Sequence, residues 1–223
     1  MTDSFPIAVV GGTGPQGRGL AYRFALAGHP VVIGSRDADR ADEKATEINS
    51  KLDEPIVTGA TNAGAAAASD VVLLAVPWDG HAELVTGLAD QLAGKIVISC
   101  VNPLGFDAAG PFGLVLEESA AQEAQRLVPS ARVVGAFHHV AALSLWKTPD
   151  ALSHEDVLVC GDDEESKNTI IELAASVTGK PGIDAGGLRL ARQLEPLTAV
   201  LISMNKRYKT RSGIAITGVG DAS

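Results

Sequence analysis

The clearest pattern along the chain is a series of short apolar runs, each cut off by glycine or proline. Pro6-Ile7-Ala8-Val9-Val10 stops at Gly11-Gly12, Val31-Val32-Ile33 stops at Gly34, and Asp70 to Val76 stops at Pro77. Runs without polar alternation are buried on both faces, as strands are in a parallel sheet covered by helices. Between the first two runs the spacing turns helical: Leu20, Phe24 and Leu26, with Ala21, Ala25 and Ala27, lead to Gly28, a helix stop. Residues 39–52, rich in Ala, Glu and Lys, predict an exposed helix, and residues 63–68, rich in Ala, a short close-packed one.

The rhythm continues with a helix over about His81–Leu92, a strand at Lys95–Cys100, a loop at Asn102–Pro111, a helix over Ser119–Leu127 and a strand at Arg132–Phe137. Beyond Trp146 the pattern thins to a strand at Val157–Cys160, a helix over Glu164–Val177 and a long last helix from Leu188 to about Tyr208 that tolerates Pro196. This alternation predicts right-handed βαβ crossovers and a Rossmann-type, doubly wound α/β fold with a mostly parallel sheet. Residues 1–150 are expected to form the larger domain, and 151–223 a small C-terminal domain.

Composition narrows the class. Of 223 residues, 46% are apolar and 20% charged, which suits a folded globular chain. No apolar run reaches the roughly 18–20 residues needed to cross a bilayer. Met1 to Phe5 carry Asp3 and no basic cluster, so no leader peptide and a cytoplasmic location are expected. Cys100 and Cys160 sit in apolar strand-like segments and read as buried, reduced thiols. A net charge of −9 argues against nucleic-acid binding. The cluster Lys206, Arg207, Lys209 and Arg211 is either a solvated helix end or an anion contact.

The chemistry concentrates after the first strand. Gly12-Thr13-Gly14-Pro15-Gln16-Gly17 matches G-x-G-x-x-G between a strand and a helix, the context that makes the pattern meaningful. Gly12 permits the tight turn, Gly14 lets the backbone approach a diphosphate, and Gly17 allows close helix–strand packing. The helix N-terminus then offers free N–H groups and a positive dipole end, with the Thr13 hydroxyl as a further donor. A dinucleotide site for NAD carries Asp or Glu at the end of the second strand. This chain has Ser35-Arg36 there, with Arg40 a turn later. A hydroxyl and guanidinium groups suit a ribose 2′-phosphate, so NADP is the expected dinucleotide and residues 1–150 its domain. Asp37, one residue late, is expected to face solvent. Val76-Pro77-Trp78 ends the third strand of this reading, where the sheet's carboxyl edge meets the nicotinamide half; Trp78 is either a wall of the site or a packing residue.

Several chemistries are missing. Neither Tyr22 nor Tyr208 has Lys four residues on, which excludes the tyrosine acid of short-chain dehydrogenases. His138-His139 has no carboxylate or cysteine at ligand spacing, so no metal site is expected. A site poor in acid/base groups suits hydride transfer between stacked planar rings. His138, at the carboxyl edge of its strand, either lines the second ring's pocket and buffers its proton or is a partly buried histidine bonded to backbone.

Gly11 to Gly17, Gly34-Ser35-Arg36, Val76-Pro77-Trp78, Cys160-Gly161-Asp162-Asp163, Asp184-Ala185-Gly186, Arg207-Tyr208-Lys209 and Gly213-Ile214 together resemble the coenzyme F420-dependent NADP oxidoreductases, from about Ile7 to Gly218. The resemblance implies reversible hydride transfer between reduced F420, a 5-deazaflavin, and NADP, in a protein commonly paired as a homodimer. It also implies that Thr13, Gly14, Pro15 and Gln16 hold the diphosphate and that Ser35, Arg36 and Arg40 hold the 2′-phosphate. Trp78, Ala82, Leu104 and Ala142 would lie along the dinucleotide, with His138 as the catalytic-site histidine and Val140 beside the deazaflavin. Two other readings remain at this point: an NADP-dependent reductase of a small imine or carbonyl compound, and a non-catalytic NADP-binding redox sensor.

Overall fold

The computed structural model describes residues 4–219, so Met1 and Asp3, on which the expectation of no leader partly rests, lie outside the described residues. The strands are β1 (Ile7–Val10), β2 (Val31–Ser35), β3 (Val57–Thr61), β4 (Val71–Leu74), β5 (Ile96–Ser99), β6 (Leu104–Asp107), β7 (Gly110–Gly113), β8 (Arg132–Gly135), β9 (Leu158–Gly161) and β10 (Ile183–Asp184). The helices are α1 (Pro15–Leu26), α2 (Ala38–Asn49), α3 (Asn62–Ala67), α4 (His81–Gly87), α5 (Ala89–Leu92), α6 (Ala120–Leu127), α7 (Ala142–Lys147), α8 (Glu164–Leu173), α9 (Ala175–Thr178) and α10 (Ala191–Tyr208).

Among the described residues, eight strands form one sheet in the order β10-β9-β8-β5-β4-β1-β2-β3, while β6 and β7 make a separate hairpin. The chain winds outward from β1 to β3, returns to β4 beside β1, then winds the other way to β8; these pairings are all parallel. The reversal of winding between β1 and β4 leaves a crevice at their carboxyl ends, the usual ligand position in such sheets. Alternate residues of β1 feed two cores. Ile7 and Val9 pack with Leu20, Phe24 and Ile33 on one face, and Ala8 and Val10 with Val72, Leu74 and Val85 on the other. Residues of β1 are buried on both sides, which is why that run is unbroken by polar positions.

The structure adds elements that the hydrophobic pattern does not announce. Val57-Thr58-Gly59-Ala60-Thr61 forms the edge strand β3, with Thr58 and Thr61 exposed. Its glycine is required by α2, since a Cβ there would overlap the backbone nitrogen of Asp42. The expected loop at 102–111 contains β6 and the start of β7, closed by Asp107, whose carboxylate accepts from the N–H groups of Ala109 and Gly110. The expected helices over 81–92 and 164–177 each divide in two, at Leu88 and Ala174. Helix α7 packs on α1 across Gly19, where an added Cβ would lie 2.8 Å from that of Leu145.

Beyond Trp146, β9 pairs antiparallel with β8, and β10 parallel with β9, so these two strands extend the same sheet in the reversed direction. Helix α10 packs back on β7 and α6. The buried Glu195 anchors it, accepting from the N–H groups of Ala120 (2.8 Å) and Ala121 (3.0 Å) at the start of α6. That carboxylate sits on the positive end of α6, beside the capping box of Ser119 and Gln122.

A second buried charge fixes the segment after α7. Arg23, 1% exposed, donates to the carbonyls of Ser144, Leu145, Pro149 and Asp150 at 2.7–3.2 Å. Arg23→Met keeps most of the volume but leaves those carbonyls without their donor. It is expected to cost on the order of 3 kcal/mol, read as a lower urea midpoint at unchanged m-value.

Candidate active-site cleft

The glycine loop is built as the motif requires. Gly11 has φ +72, and the Gly12 N–H donates to the carbonyls of Val9 and Gly34, pinning the turn to β1 and β2. A Cβ on Gly17 would lie 2.7 Å from the Gly12 Cα, so helix and turn touch there. A Cβ on Gly14 would meet only the Gly11 carbonyl, at 3.8 Å, leaving its outer side open to a ligand. Gly14 is the N-cap of α1, Pro15 follows, and no side chain caps the helix. Its first-turn N–H groups and dipole therefore face outward unspent. Asn62 supports the loop from behind, its Oδ1 accepting from the Gly11 N–H at 3.2 Å.

At the tip of β2, Ser35 is buried and its Oγ accepts from the Asp37 N–H. The Asp37 carboxylate accepts from the Asp39 N–H at 3.0 Å as N-cap of α2, so it is committed to its own helix. Arg36 and Arg40 are exposed and, among the described residues, join no ion pair. The corner thus presents two guanidinium groups that, among the described residues, have no ion-pair partner, beside the buried Ser35 hydroxyl.

A cleft of about 1070 Å³ opens beside the loop. It gathers Gly14, Pro15 and Gln16 from the first turn, Val76 and Pro77 after β4, and His138, Val140 and Ala142 after β8. Other expected site residues stand outside its lining. Gly12, Thr13 and Gly17 belong to the turn beside it, and Ser35, Arg36 and Arg40 to the tip of β2. Trp78 stacks on His81 with centroids 5.4 Å apart, Ala82 is exposed on α4, and Leu104 opens β6. Of the basic cluster, Lys209 and Arg211 line the cleft, whereas Lys206 and Arg207 do not.

His138 is 4% exposed and held from two sides. Asn102 donates from Nδ2 to the His138 carbonyl (3.3 Å) and places Oδ1 3.2 Å from His138 Nδ1. Because an amide oxygen only accepts, Nδ1 carries the ring proton. Thr198 Oγ1 donates to the same carbonyl at 3.0 Å. Nε2 has no partner and faces Gly135, where a Cβ would lie 3.3 Å from it. Burial, and then the adjacent His139, hold the His138 pKa down to about 3. Burial also lowers that of His139, whose Nε2 lies 2.7 Å from the Leu194 carbonyl. The Cys100 thiol is pushed up to about 12 by burial and donates to the Leu74 carbonyl. The cleft therefore presents a neutral imidazole and a neutral thiol, and no carboxylate or tyrosine among its described lining residues.

Reading the sequence missed Cys100, Asn102, Thr198, Ile202 and Asn205 as lining residues. For Cys100 and Asn102 a signal existed, because they follow a strand at the sheet's carboxyl edge. Thr198, Ile202 and Asn205 recur at helical spacing along α10, which marks a face without saying what it meets.

Comparison with known proteins agrees with this geometry. Residues 6–103 match the family described as NADP oxidoreductase, coenzyme F420-dependent. The F420-dependent NADP reductase of Methanothermobacter thermautotrophicus is 38% identical over 221 residues, covering 96% of this chain and 95% of that protein. Its counterpart in Methanocaldococcus jannaschii is 37% identical, covering 96% and 98%. The crystal structure of a putative F420-dependent NADP-reductase from Arthrobacter sp. FB24 superposes with a TM-score of 0.78 at 31% identity, over 96% of this chain and 100% of that one. With relatives this similar over nearly its whole length, the chain belongs to the coenzyme F420-dependent NADP oxidoreductase family.

Proposed function

We propose that the protein transfers a hydride reversibly between reduced coenzyme F420 and NADP. The observation that carries this reading is one continuous cleft, running from the uncapped start of α1 to a strip beside His138, an imidazole held neutral, with no carboxylate or tyrosine among its described lining residues. The open side of Gly14 and the free guanidinium groups of Arg36 and Arg40 suit a diphosphate and a 2′-phosphate. Coenzyme F420 supplies a 5-deazaflavin ring that carries the hydride. The chain's own work is to bind, orient and exclude water. The first turn of α1 binds the diphosphate of NADP, and Val76 and Pro77 direct the nicotinamide inward. Val140 and Ala142 keep the facing ring dry, and His138, fixed as a neutral imidazole, adds no charge to either ring. A reductase of imines or carbonyls needs a proton donor for the nitrogen or oxygen it reduces; beside His138 the cleft offers neither a carboxyl nor a tyrosine, and its lysine, Lys209, lies past the end of α10.

The finer organisation is also proposed. Residues 1–150 bind NADP, and residues 151–223 act as a smaller unit whose α10 closes the second ring's side. The protein pairs as a cytoplasmic homodimer through exposed apolar side chains such as Val200, Met204, Phe106 and Phe112. It binds small coenzymes and not nucleic acid, in keeping with its acidic pI of about 5.0. Among the described residues no helix is long and apolar enough to cross a membrane.

Mixing the protein with NADPH and oxidised F420 is expected to bleach the deazaflavin absorbance; a protein that binds NADPH but leaves that absorbance unchanged is not this enzyme. Arg36→Ala is expected to weaken NADPH much more than NADH, by about 1.5–3 kcal/mol for a lost charged hydrogen bond. Equal losses for the two dinucleotides would make Arg36 structural. With His138 neutral down to about pH 3, turnover from pH 5 to 8 should show no inflection from this imidazole.

Stability carries two opposite pH signatures. Between about pH 3 and 6.5 the unfolded His138 binds a proton that the folded one refuses, so stability falls as pH falls through that window. Glu195, raised by burial to about 7 from 4.5, keeps its proton in the fold while the unfolded chain loses it, so stability falls as pH rises through that window. His138→Asn should reduce the acid-side loss by up to about 1.4 kcal/mol per pH unit, and Glu195→Gln should shift the slope the other way, both measured by urea unfolding across pH.

A further inference from the structure

Two loops meet in the cleft, and one side chain joins them. Gln16, the second residue of α1, donates from Nε2 to the carbonyls of Phe137 (3.3 Å) and Val140 (3.2 Å). Both hydrogens of one planar amino group are used, so the two carbonyls set the orientation of the carboxamide. The peptide groups it spans bracket His138.

That loop is under constraint. Phe137 has φ +63, a left-handed backbone that a bulky residue adopts only when its surroundings impose it. Its ring is buried edge-on to Phe24, with centroids 5.7 Å apart. Thr198 and Asn102 hold the His138 carbonyl from the opposite side. Gln16 closes the third side. It leaves the chain one residue after Pro15, in the first turn of α1, which no side chain caps.

We propose that Gln16 is a positioning residue that couples occupancy of the glycine loop to the shape of the Phe137–Val140 loop, so that bound dinucleotide sets the wall against which the deazaflavin lies. The proposal rests on the hydride-transfer reading and adds to it a coupling between the two coenzymes. An anion drawn onto the first turn of α1 stiffens the peptide units that carry Gln16, and the paired hydrogen bonds pass that constraint to the loop. The strained backbone of Phe137 gives the loop a way to respond, since its release to ordinary backbone angles would swing His138 and its carbonyl away. The coupling is reciprocal, each coenzyme tightening the other by the same factor.

The test uses both coenzymes oxidised, so that no hydride can move. Oxidised F420, followed by its own fluorescence, is titrated into the full-length protein with and without saturating NADP+. Wild-type protein is expected to bind F420 at least fivefold more tightly when NADP+ is present. In Gln16→Met, which keeps the length but not the donors, the ratio should fall below two. Gln16→Asn, an amide one methylene too short to span the carbonyls, should do the same and carries the test if the first variant fails to fold. A merely structural defect lowers both affinities and leaves the ratio as it was. A wild-type ratio below five, or a ratio of two or more in either folded variant, overturns the proposal. Wild-type protein that fails to bleach F420 with NADPH removes the hydride-transfer reading instead, whereas normal bleaching with an unaltered ratio in the variants removes only the coupling through Gln16.

Discussion

The site depends on one helix being left without a cap. Three of the longer helices satisfy their starts with side chains, since Asp37 caps α2, Ser119 and Gln122 box α6, and Asp163 caps α8, whereas α1 and α10 have no side-chain cap. At α1 the N-cap is Gly14, which has no side chain to spend. Unsatisfied N–H groups at a helix start are stable only if water or a ligand meets them. Here they open at the point where the sheet reverses its winding, so the local deficit and the global topology coincide. Gly12 and Gly17 let the turn and helix close on one another tightly enough for that exposure to survive.

Around that opening, several buried charged groups are spent on structure or held neutral, so no carboxylate or tyrosine acid/base group remains among the described residues that line the cleft. Arg23 is consumed by four carbonyls, and Glu195 by the start of α6. His138 and Cys100 are held neutral by burial. These arrangements anchor α7 and α10, the elements that wall the cleft. For hydride transfer neutral groups beside the rings are an advantage, because the rings must approach without competing proton chemistry.

Family membership and geometry answer different questions. Similarity over nearly the full chain says which reaction the scaffold supports. The geometry says what individual side chains are free to do: the Asp37 carboxylate is turned to its own helix, leaving the corner beside it to Arg36 and Arg40. It also assigns Gln16 a side-chain role that its place in a glycine motif does not suggest, since the motif is defined by what the backbone does.

By itself the sequence determined the winding of the sheet and the position of the glycine loop. Wholly apolar strands, helical spacing and glycine stops are local patterns, written in neighbouring residues. It did not disclose β3, whose outward residues are polar and whose Gly59 answers to α2, nor the hairpin β6–β7, nor α7, whose place depends on Gly19 and Arg23. Of the cleft's far wall the sequence pointed to His138 but not to Asn102 or Thr198, which are separated from it by dozens of residues and meet it only because β5, β8 and α10 converge. Burial, left-handed backbone and paired hydrogen bonds arise from contacts between distant segments, and no local window of sequence contains them.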